Sequence, residues 1–183
     1  NLDYAAQAGT YLEKCIQERD SSGGMIECLI DGMPAGIGEP VFDKLDAALA
    51  QAVMSIGAVK GIEFGDGFAV TSSTGSINND AFLSENGQIR KATNHSGGIL
   101  GGLSDGSQII FRAAVKPTPS ISQPQRTVNT SGDNIEIEIS GRHDPVVVPR
   151  AVVVVESMTA ITLVDLLMQN MHSKIDYLKK IYL

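Results

Sequence analysis

The sequence predicts an α+β protein, either with separate helical and sheet regions or as an α/β sandwich. Helix-period segments and short Ile- and Val-rich runs follow each other along the chain. Two alternating runs flank a turn at 130–134, and a long apolar segment precedes the C-terminus. Helical spacing, alternation and turn residues are the primary sequence signals for such elements.

The composition is that of one soluble globular domain spanning residues 1–183. Hydrophobic residues make up 43% of the chain and charged residues 19%, and the length is sufficient to bury a core. A net charge of −7 argues against binding to nucleic acid or to an anionic membrane surface. Two cysteines and three isolated histidines predict neither a disulfide framework nor a metal site.

The lack of a recognisable targeting signal in the sequence predicts a cytoplasmic protein. No stretch has the length and purity of a membrane span, and no signal-peptide pattern opens the chain. The first residue is Asn1, inside a helical pattern, rather than a methionine. We therefore expect the chain to be a fragment of something longer.

The first third of the chain predicts a helix, a strand and a second helix. Residues 3–19 place apolar side chains at helical spacing, and "SSGG" ends that helix. "MIECLIDGM" at 25–33 predicts a strand, and a Pro/Gly loop follows it. "VFDKLDAALAQAVMSIG" at 41–57 predicts a helix that ends at Gly57.

The middle of the chain predicts two strands, a long loop between them and a hairpin after them. "VKGIEFGDGFAVTSS" at 59–73 indicates a strand and a turn, and "SQIIFRAAVKP" at 107–117 indicates the next strand. Residues 74–106 are rich in Gly, Asn, Ser and Thr, which predicts a long glycine-rich loop that is functional or disordered. "QRTVNTSGDNIEIEIS" at 125–140 predicts the hairpin.

The apolar segment from Pro149 to about Met171 needs a choice between strand and helix. "VVVV" at 152–155 favours a strand by propensity, but the segment is far longer than a usual strand. Pro149 also suits the first turn of a helix, where its missing N–H leaves nothing unsatisfied. We predict a mostly buried helix, followed by a polar helical tail at 173–183.

"KPTPS" at 116–120 is the first stretch with candidate chemistry. Lys116 supplies a positive charge, Thr118 and Ser120 supply hydroxyls, and Pro117 and Pro119 stiffen the turn. A rigid turn with these groups suits a cluster of phosphate oxygens. The alternative is a solvent-facing turn at the end of a strand.

"NHSGGILGGLSDG" at 94–106 contains five glycines. Glycine allows a close backbone approach to a phosphate or a flat ring. The stretch matches neither the dinucleotide-binding nor the Walker pattern, so a flexible surface loop is an equal alternative. We interpret His95 within it as a hydrogen-bonded structural residue.

"GRHDPVVVPR" at 141–150 places charged residues directly before the apolar segment. An aspartate beside an arginine in a partly buried corner stays ionised and oriented, so it can act as a base. The alternative is that these are solvated capping residues. Arg150 falls in the first helical turn, where the helix dipole disfavours a cation, so we expect it to have an anionic partner.

Four stretches together resemble a known family. "SIGAVKGIEFGDGF", "NHSGGILGGLSDG", "RAAVKPTPSI" and "GRHDPVVVPRAVVVVESM" occur in the order and spacing of chorismate synthase. The resemblance covers residues 36–171 and corresponds to the C-terminal half of that enzyme. It implies part of a β-α-β sandwich-type core with a long C-terminal helix and a β-hairpin.

The resemblance implies an FMN-dependent lyase. The family converts 5-enolpyruvylshikimate-3-phosphate to chorismate and phosphate by a 1,4-elimination that requires reduced FMN. The family's N-terminal half, with its Gly-Glu-Ser-His-Gly signature and its catalytic histidines, is absent here, so this chain alone is expected to be inactive. The alternative is a non-catalytic flavin-binding or assembly module.

The resemblance also assigns roles by position. It places five residues in the turn that holds the flavin phosphate: Lys116, Pro117, Thr118, Pro119 and Ser120. It makes Gly101, Arg142 and Ala58 contacts of FMN, and Asp144 the residue that assists deprotonation at flavin N5. Gly57 stands where the family commonly has asparagine, so a side-chain amide contact is missing there.

The family also implies partners. Its members are homotetramers that act on a small molecule, without nucleic acid or membrane. Some fungal members reduce their own flavin with NADPH, but the extra segments that would indicate this activity are not evident in the sequence.

Overall fold

The computed structural model describes residues 2–141 and 143–182. The helices are α1 (Leu2–Gln17), α2 (Leu45–Met54), α3 (Gly75–Asn78), α4 (Val148–Asn170) and α5 (Ile175–Tyr182), and a 3₁₀ turn covers Gly67–Ser72. The strands are β1 (Gly24–Ile30), β2 (Val59–Phe64), β3 (Phe82–Glu85), β4 (Gln88–Lys91), β5 (Ile99–Leu100), β6 (Leu103–Ser104), β7 (Ile109–Val115), β8 (Gln125–Val128) and β9 (Asn134–Ile137). The predicted α+β class is confirmed.

The central sheet has the order β1-β7-β2, and both pairings are antiparallel. Alternate residues of β7 point into the core, and four of them are buried: Ile109, Phe111, Ala113 and Val115. This alternation is the period of two that a half-buried strand requires. Helices α2 and α4 pack on the inner face, and two apolar clusters fill the space between helices and sheet.

The long C-terminal helix is present, but the prediction that it is mostly buried is wrong. One stripe of α4 faces the sheet and is buried, and it consists of Val155, Thr159, Leu163 and Leu166. Only 28% of the most apolar 18-residue window of α4 is buried. Apolar side chains also occur outside this stripe, whereas the described chain supplies a packing layer on one side only.

The expectation that no stretch has the length and purity of a membrane span is wrong, because helix α4 has both, with a mean hydropathy of 2.0. It is the one helix among the described residues that meets both criteria. Long apolar helices also occur in protein cores. The stripe that α4 buries against β1 and α2 identifies it as a packed element of this fold.

The prediction of one long loop over residues 74–106 is wrong. This segment contains α3, the hairpin β3–β4 and the short pair β5–β6. The strands are only two to four residues long, which is too short to show a periodicity. Helix α2 begins at Leu45 rather than at Val41, because Val41 and Phe42 are exposed outside it.

Candidate functional site

One end of the central sheet carries most of the residues that the sequence singled out. Strand β7 ends at Val115, and Lys116 begins the predicted phosphate turn. The backbone N–H of Lys116 donates a 2.9 Å hydrogen bond to the carbonyl of Ala58, in the turn that precedes β2. Ala58 has a φ of 73°, which is uncommon for a residue with a side chain. Gly57, Ala58 and the turn at 116–120 therefore lie together.

The turn at 116–120 is fixed by the connection between α1 and β1, residues 20–23. The hydroxyl of Ser21 donates a 2.7 Å hydrogen bond to the carbonyl of Thr118. Gly23 lies so close that a Cβ atom on it would be 2.5 Å from the carbonyl oxygen of Val115 and 3.1 Å from Pro117. Glycine is therefore required at position 23, and the backbone that leads into β1 packs directly against the turn at 116–120.

The side chains of the turn keep their donors available. Among the described residues, Lys116 Nζ and the hydroxyls of Thr118 and Ser120 have no hydrogen-bond partner and no ion pair. Lys116 is exposed, whereas Thr118 and Ser120 are half-buried. A cation with two hydroxyls beside it is a donor set suited to phosphate, for which Lys is a common point-charge ligand. These residues fit the phosphate of a flavin nucleotide.

The corner around Asp144 is held by the same connection. The backbone N–H of Ser22 donates a 2.7 Å hydrogen bond to the carbonyl of Pro145, and Ser22 forms a parallel bridge with Val146. Residues 20–23 therefore contact both the turn at 116–120 and the corner at 143–146. Two segments that are distant in sequence are brought together by one short stretch of backbone.

Asp144 is the anionic partner that the position of Arg150 in the first turn of the helix predicted. Arg150 Nη1 lies 2.5 Å from Asp144 Oδ2, and the pair joins the corner to the first turn of α4. The expectation of an anionic partner for Arg150 is confirmed. The Asp144 side chain is 36% exposed, so its carboxylate is accessible. Its Oδ1 has no partner among the described residues.

A cleft of 160 Å³ lies beside this corner, with Arg19, Ser21, Ser122, His143 and Asp144 among the residues that line it. The ring Nε2 of His143 lies 3.2 Å from the carbonyl of Ile139, which gives the ring a structural contact. Arg142 precedes His143 and lies outside the described residues. Its predicted contact with FMN stays a prediction.

Gly101 does not belong to this cluster. It lies in the turn between β5 and β6, with a φ of 60°, and a Cβ atom on it would meet nothing. The neighbouring Gly102 accepts a hydrogen bond from the N–H of Leu45, at the start of α2. Gly57 follows the other end of α2. The two groups therefore lie at opposite ends of α2, which at 10 residues is about 15 Å long.

The glycine-rich segment is held by a buried lysine that sequence reasoning missed. Lys91 Nζ lies 3.2 Å from Asp80 Oδ2, 2.7 Å from Asp105 Oδ2 and 2.7 Å from the Ser96 hydroxyl. The Lys91 side chain is 3% exposed. This network fixes both ends of the segment, so the alternative of a flexible surface loop is not what the structure shows.

The two carboxylates of this network stay ionised. Burial raises the pKa of Asp80, but hydrogen bonds from the N–H of Ser96, the hydroxyl of Thr93 and the N–H of His95 lower it well below its usual range. Burial likewise raises the pKa of Asp105, and the hydrogen bond from Lys91 leads the contributions that bring it below the ordinary value. Lys91 therefore neutralises one of two buried negative charges.

A second set of contacts joins the glycine-rich segment to the end of β2. His95 Nδ1 lies 2.6 Å from Asp66 Oδ2, which supports the interpretation of His95 as a structural residue. Gly65 and Gly97 both have positive φ, and their backbones touch. A Cβ atom on Gly97 would meet the backbone of Gly65, and one on Gly65 would meet the carbonyl of His95 and the N–H of Gly97.

An antiparallel sheet with helices packed on its inner face defines an α+β protein, and the lysine-hydroxyl turn at its end suits a phosphate group. The particular family is shown by comparison. The chain belongs to the chorismate synthase family, because the family model described as "Chorismate synthase" matches residues 1–168. The resemblance drawn from the four sequence stretches is confirmed.

Individual relatives agree with this assignment. Chorismate synthase of Lachnoclostridium phytofermentans is 66% identical over 183 residues, which is 100% of this chain and 50% of the relative. Chorismate synthase of Agathobacter rectalis is 58% identical over 180 residues, which is 98% of this chain and 49% of the relative. The chain spans about half the length of the curated relatives it matches.

A solved structure shows the same fold. A crystal structure of chorismate synthase superposes with a TM-score of 0.75 at 30% sequence identity. The match covers 96% of this chain and 46% of the solved chain. The mixed α/β architecture with small sheets and a long C-terminal helix is therefore a chorismate synthase fold in part.

Proposed function

We propose that this chain supplies the flavin side of a chorismate synthase. The reaction is the 1,4-elimination of phosphate from 5-enolpyruvylshikimate-3-phosphate, giving chorismate in the shikimate pathway of aromatic amino acid biosynthesis. One observation carries the proposal. In a chain of this family, residues 20–23 hold the turn at 116–120 and the corner of Asp144 side by side.

The turn at 116–120 is the proposed binding site for the phosphate of FMN. Lys116 supplies charge, and Thr118 and Ser120 supply hydroxyls with no other partner among the described residues. Pro117 and Pro119 limit the conformations of the turn before a ligand arrives, which lowers the ordering cost of binding. The chemistry that reduced FMN would supply at this turn is electron density for the substrate as phosphate leaves, and the flavin would then accept the hydrogen lost from C6 of the substrate.

Asp144 is the proposed catalytic residue on this side. Its Oδ2 is engaged by Arg150, which leaves Oδ1 available to hold a proton or to pass it on. A positioned carboxylate of this kind can serve as a general base. The adjoining cleft gives the carboxylate access to a ligand. Arg150 orients Asp144 and is a positioning residue.

Fewer contacts among the described residues support the other proposed contacts of FMN. Gly57 and Ala58 lie next to the turn, but the carbonyl of Ala58 is already bonded to the N–H of Lys116. Gly101 lies near the start of α2 and the turn at 116–120 lies near its end, so the proposed contact of Gly101 with FMN does not form part of the same cluster. Arg142 is retained as a proposed contact of FMN near the substrate.

This chain by itself is proposed to be inactive. It matches about half of each curated relative, and the histidines that the family resemblance places upstream are not in it. Neither His95 nor His143 replaces them, because both rings have structural partners. A cytoplasmic homotetramer is the proposed setting for the complete enzyme. The second candidate is a non-catalytic flavin-binding or assembly module, which the same half-length match favours.

An anaerobic assay tests the proposal. The chain is mixed with reduced FMN and 5-enolpyruvylshikimate-3-phosphate, alone and together with the half of the Lachnoclostridium phytofermentans relative that it does not match. Chorismate formation only in the mixture is the expected result. FMN binding without turnover in the mixture would favour the non-catalytic module, and absence of FMN binding would reject the phosphate-turn assignment.

A further inference from the structure

Two parts of the proposed site, the turn at 116–120 and the corner at 143–146, have no direct hydrogen bond between them among the described residues. Both parts instead bond to a pair of adjacent serines. The hydroxyl of Ser21 donates a 2.7 Å hydrogen bond into the turn, and the backbone N–H of Ser22 donates a 2.7 Å hydrogen bond into the corner. The turn and the corner are therefore joined across two short contacts.

Thr118 is the residue of the turn that Ser21 holds. Its carbonyl accepts the bond from Ser21, whereas its hydroxyl has no partner in the described part of the chain. A phosphate bound by that hydroxyl restricts the same residue that the serine restricts. Binding at the turn therefore acts on Ser21, because the ligand and the serine are attached to one residue.

The backbone at 23–24 has little room to absorb a movement of the turn. A Cβ atom on Gly23 would lie 3.1 Å from Pro117, and one on Gly24 would lie 2.9 Å from Cγ2 of Val148, at the start of α4. This backbone is thus in close contact with the turn on one side and with the helix on the other. Closely packed atoms transmit a displacement because they leave no free volume to take it up.

A second contact path runs through the carbonyl oxygen of Ile139. The hydroxyl of Ser122, just after the turn, donates a 3.1 Å hydrogen bond to this oxygen. Nε2 of His143, the residue before Asp144, lies 3.2 Å from the same oxygen. One path therefore reaches the corner on the side of His143, and the other reaches it through the bond of Ser22.

We propose that Ser21 and Ser122 are positioning residues, through which a phosphate bound at the turn orders the corner that carries Asp144. The proposal rests on the function proposed above, and it gives the phosphate a role besides that of an anchor. Binding free energy from a part of a ligand remote from the reacting atoms can be used to position a catalytic group. An occupied turn then holds the carboxylate in place before the substrate reacts.

Hydrogen exchange of the full 183-residue chain measures this ordering without any turnover. The backbone N–H of Ser22 reports on the corner, because it exchanges when its bond to the carbonyl of Pro145 opens. FMN or inorganic phosphate should slow exchange at 20–24 and at 143–150 by about threefold or more. Riboflavin, which lacks the phosphate, should leave both segments unchanged, and potassium chloride at equal ionic strength controls for the effect of salt.

Ser21→Ala and Ser122→Ala each remove one path. At saturating FMN, each variant should lose about half of the added protection at 143–150, and the double variant should lose all of it. Exchange at 116–120 should still slow in every variant, because Lys116 and the hydroxyls of the turn remain.

Ser157→Ala is the matched control. Its hydroxyl also donates a 2.7 Å hydrogen bond to a carbonyl, that of Val153, but this bond lies within α4. The variant should keep the full protection, and circular dichroism of all variants should match the parent.

The pattern of protection separates the two proposals. In the parent, FMN protection at 116–120 without any at 143–150 would overturn the coupling and leave the phosphate turn standing. Equal protection of the corner by riboflavin, or full protection in the double variant, would also overturn the coupling. No protection at either segment would reject the phosphate turn itself, and the coupling with it.

Discussion

The hydroxyl of Ser21 donates a 2.7 Å hydrogen bond to the carbonyl oxygen of Thr118, across 97 positions of sequence. The bond joins the connection before β1 to the proposed phosphate turn. It holds the turn by its backbone and leaves the Thr118 hydroxyl available for a ligand. The shape of the turn therefore depends on a residue that contacts no ligand itself.

Replacing Ser21 with alanine should weaken FMN binding without unfolding the chain. Loss of one neutral hydrogen bond costs about 1 kcal/mol, which corresponds to roughly a fivefold change in affinity if the turn bears all of it. Fluorescence titration of FMN measures the effect on the reconstituted complex. Ser22→Ala is the control, because the Ser22 hydroxyl bonds only to the neighbouring carbonyl of Gly23. Equal affinity in both variants would remove Ser21 from the support of the turn.

Lys116→Ala should weaken FMN binding more strongly. A lost charge-assisted contact to phosphate costs roughly 1–3 kcal/mol, and the loss should diminish at high salt because the residue is exposed. Lys60→Ala, an exposed lysine on β2, is the charge-matched control. If riboflavin, which lacks the phosphate, shows the same loss as FMN, then Lys116 does not contact the phosphate.

Asp144→Ala in a full-length form should abolish turnover while FMN affinity stays within about tenfold. The reason is that Asp144 is proposed to move a proton rather than to hold the cofactor. The rate of chorismate formation and the FMN dissociation constant are measured on the same preparation. Asp43→Ala is the control, since Asp43 is an exposed aspartate that does not line this cleft. An unchanged rate in Asp144→Ala would exclude it from the mechanism.

Lys91→Met should destabilise the fold by about 3–5 kcal/mol, because removing one member of a buried ion pair leaves uncompensated charge. The carboxylates of Asp80 and Asp105 would then face each other at a site that is almost fully buried. Urea unfolding followed by circular dichroism measures the free energy of unfolding. Arg90→Met changes the neighbouring exposed residue and should cost less than about 0.5 kcal/mol. A comparable loss in both variants would show that the network adds nothing.

The same network should make the fold sensitive to acid. The pKa of Asp80 is lower in the folded chain than in the unfolded one, so its contribution to stability is present above the usual aspartate value. That contribution should decline as the pH falls below about 4. Urea midpoints of the parent and of Asp80→Asn, measured from pH 7 to pH 3, check this. The difference between the two should shrink on acidification; a constant difference contradicts the assignment.

Helices α1, α2, α4 and α5, the central strands and the β8–β9 hairpin could be predicted because each carries its own local pattern. Helical spacing identified α1 and α2, and the length of the apolar segment decided correctly for α4 over the strand propensity of its valines. Strands β3 and β4 could not be predicted in this way. They are four residues long and largely polar, and their pairing depends on the turn at Asn86 and Gly87.

The burial of α4 was predicted wrongly for a different reason. An apolar composition indicates that a surface is suited to burial, but it does not indicate which part of a protein covers that surface. The side with Val155 and Leu163 packs against other elements of the chain, whereas Ile161 and Val164 stay exposed among the described residues.

The candidate site could be predicted in part from the sequence. The positive charge of Arg150 at the start of a helix predicted an anionic partner, and Asp144, six residues earlier in the chain, provides it. The support by Ser21 and the network of Lys91 could not be predicted, since their partners lie far apart in sequence and no spacing rule links them. The family resemblance named residues near both ends of α2, and only the structure showed that Gly101 lies apart from the others.

The contact between Gly65 and Gly97 has a genetic consequence. A β-carbon on Gly65 would collide with the backbone of His95 and Gly97, and a β-carbon on Gly97 would collide with the backbone of Gly65. A substitution at one position therefore cannot be repaired by a second substitution at the other. In a library randomised at both codons and selected for function, we expect only the glycine pair to survive. Such a pair would resist drift even in a lineage that had lost every flavin-binding residue, and it would mark descent from this fold after the activity had gone.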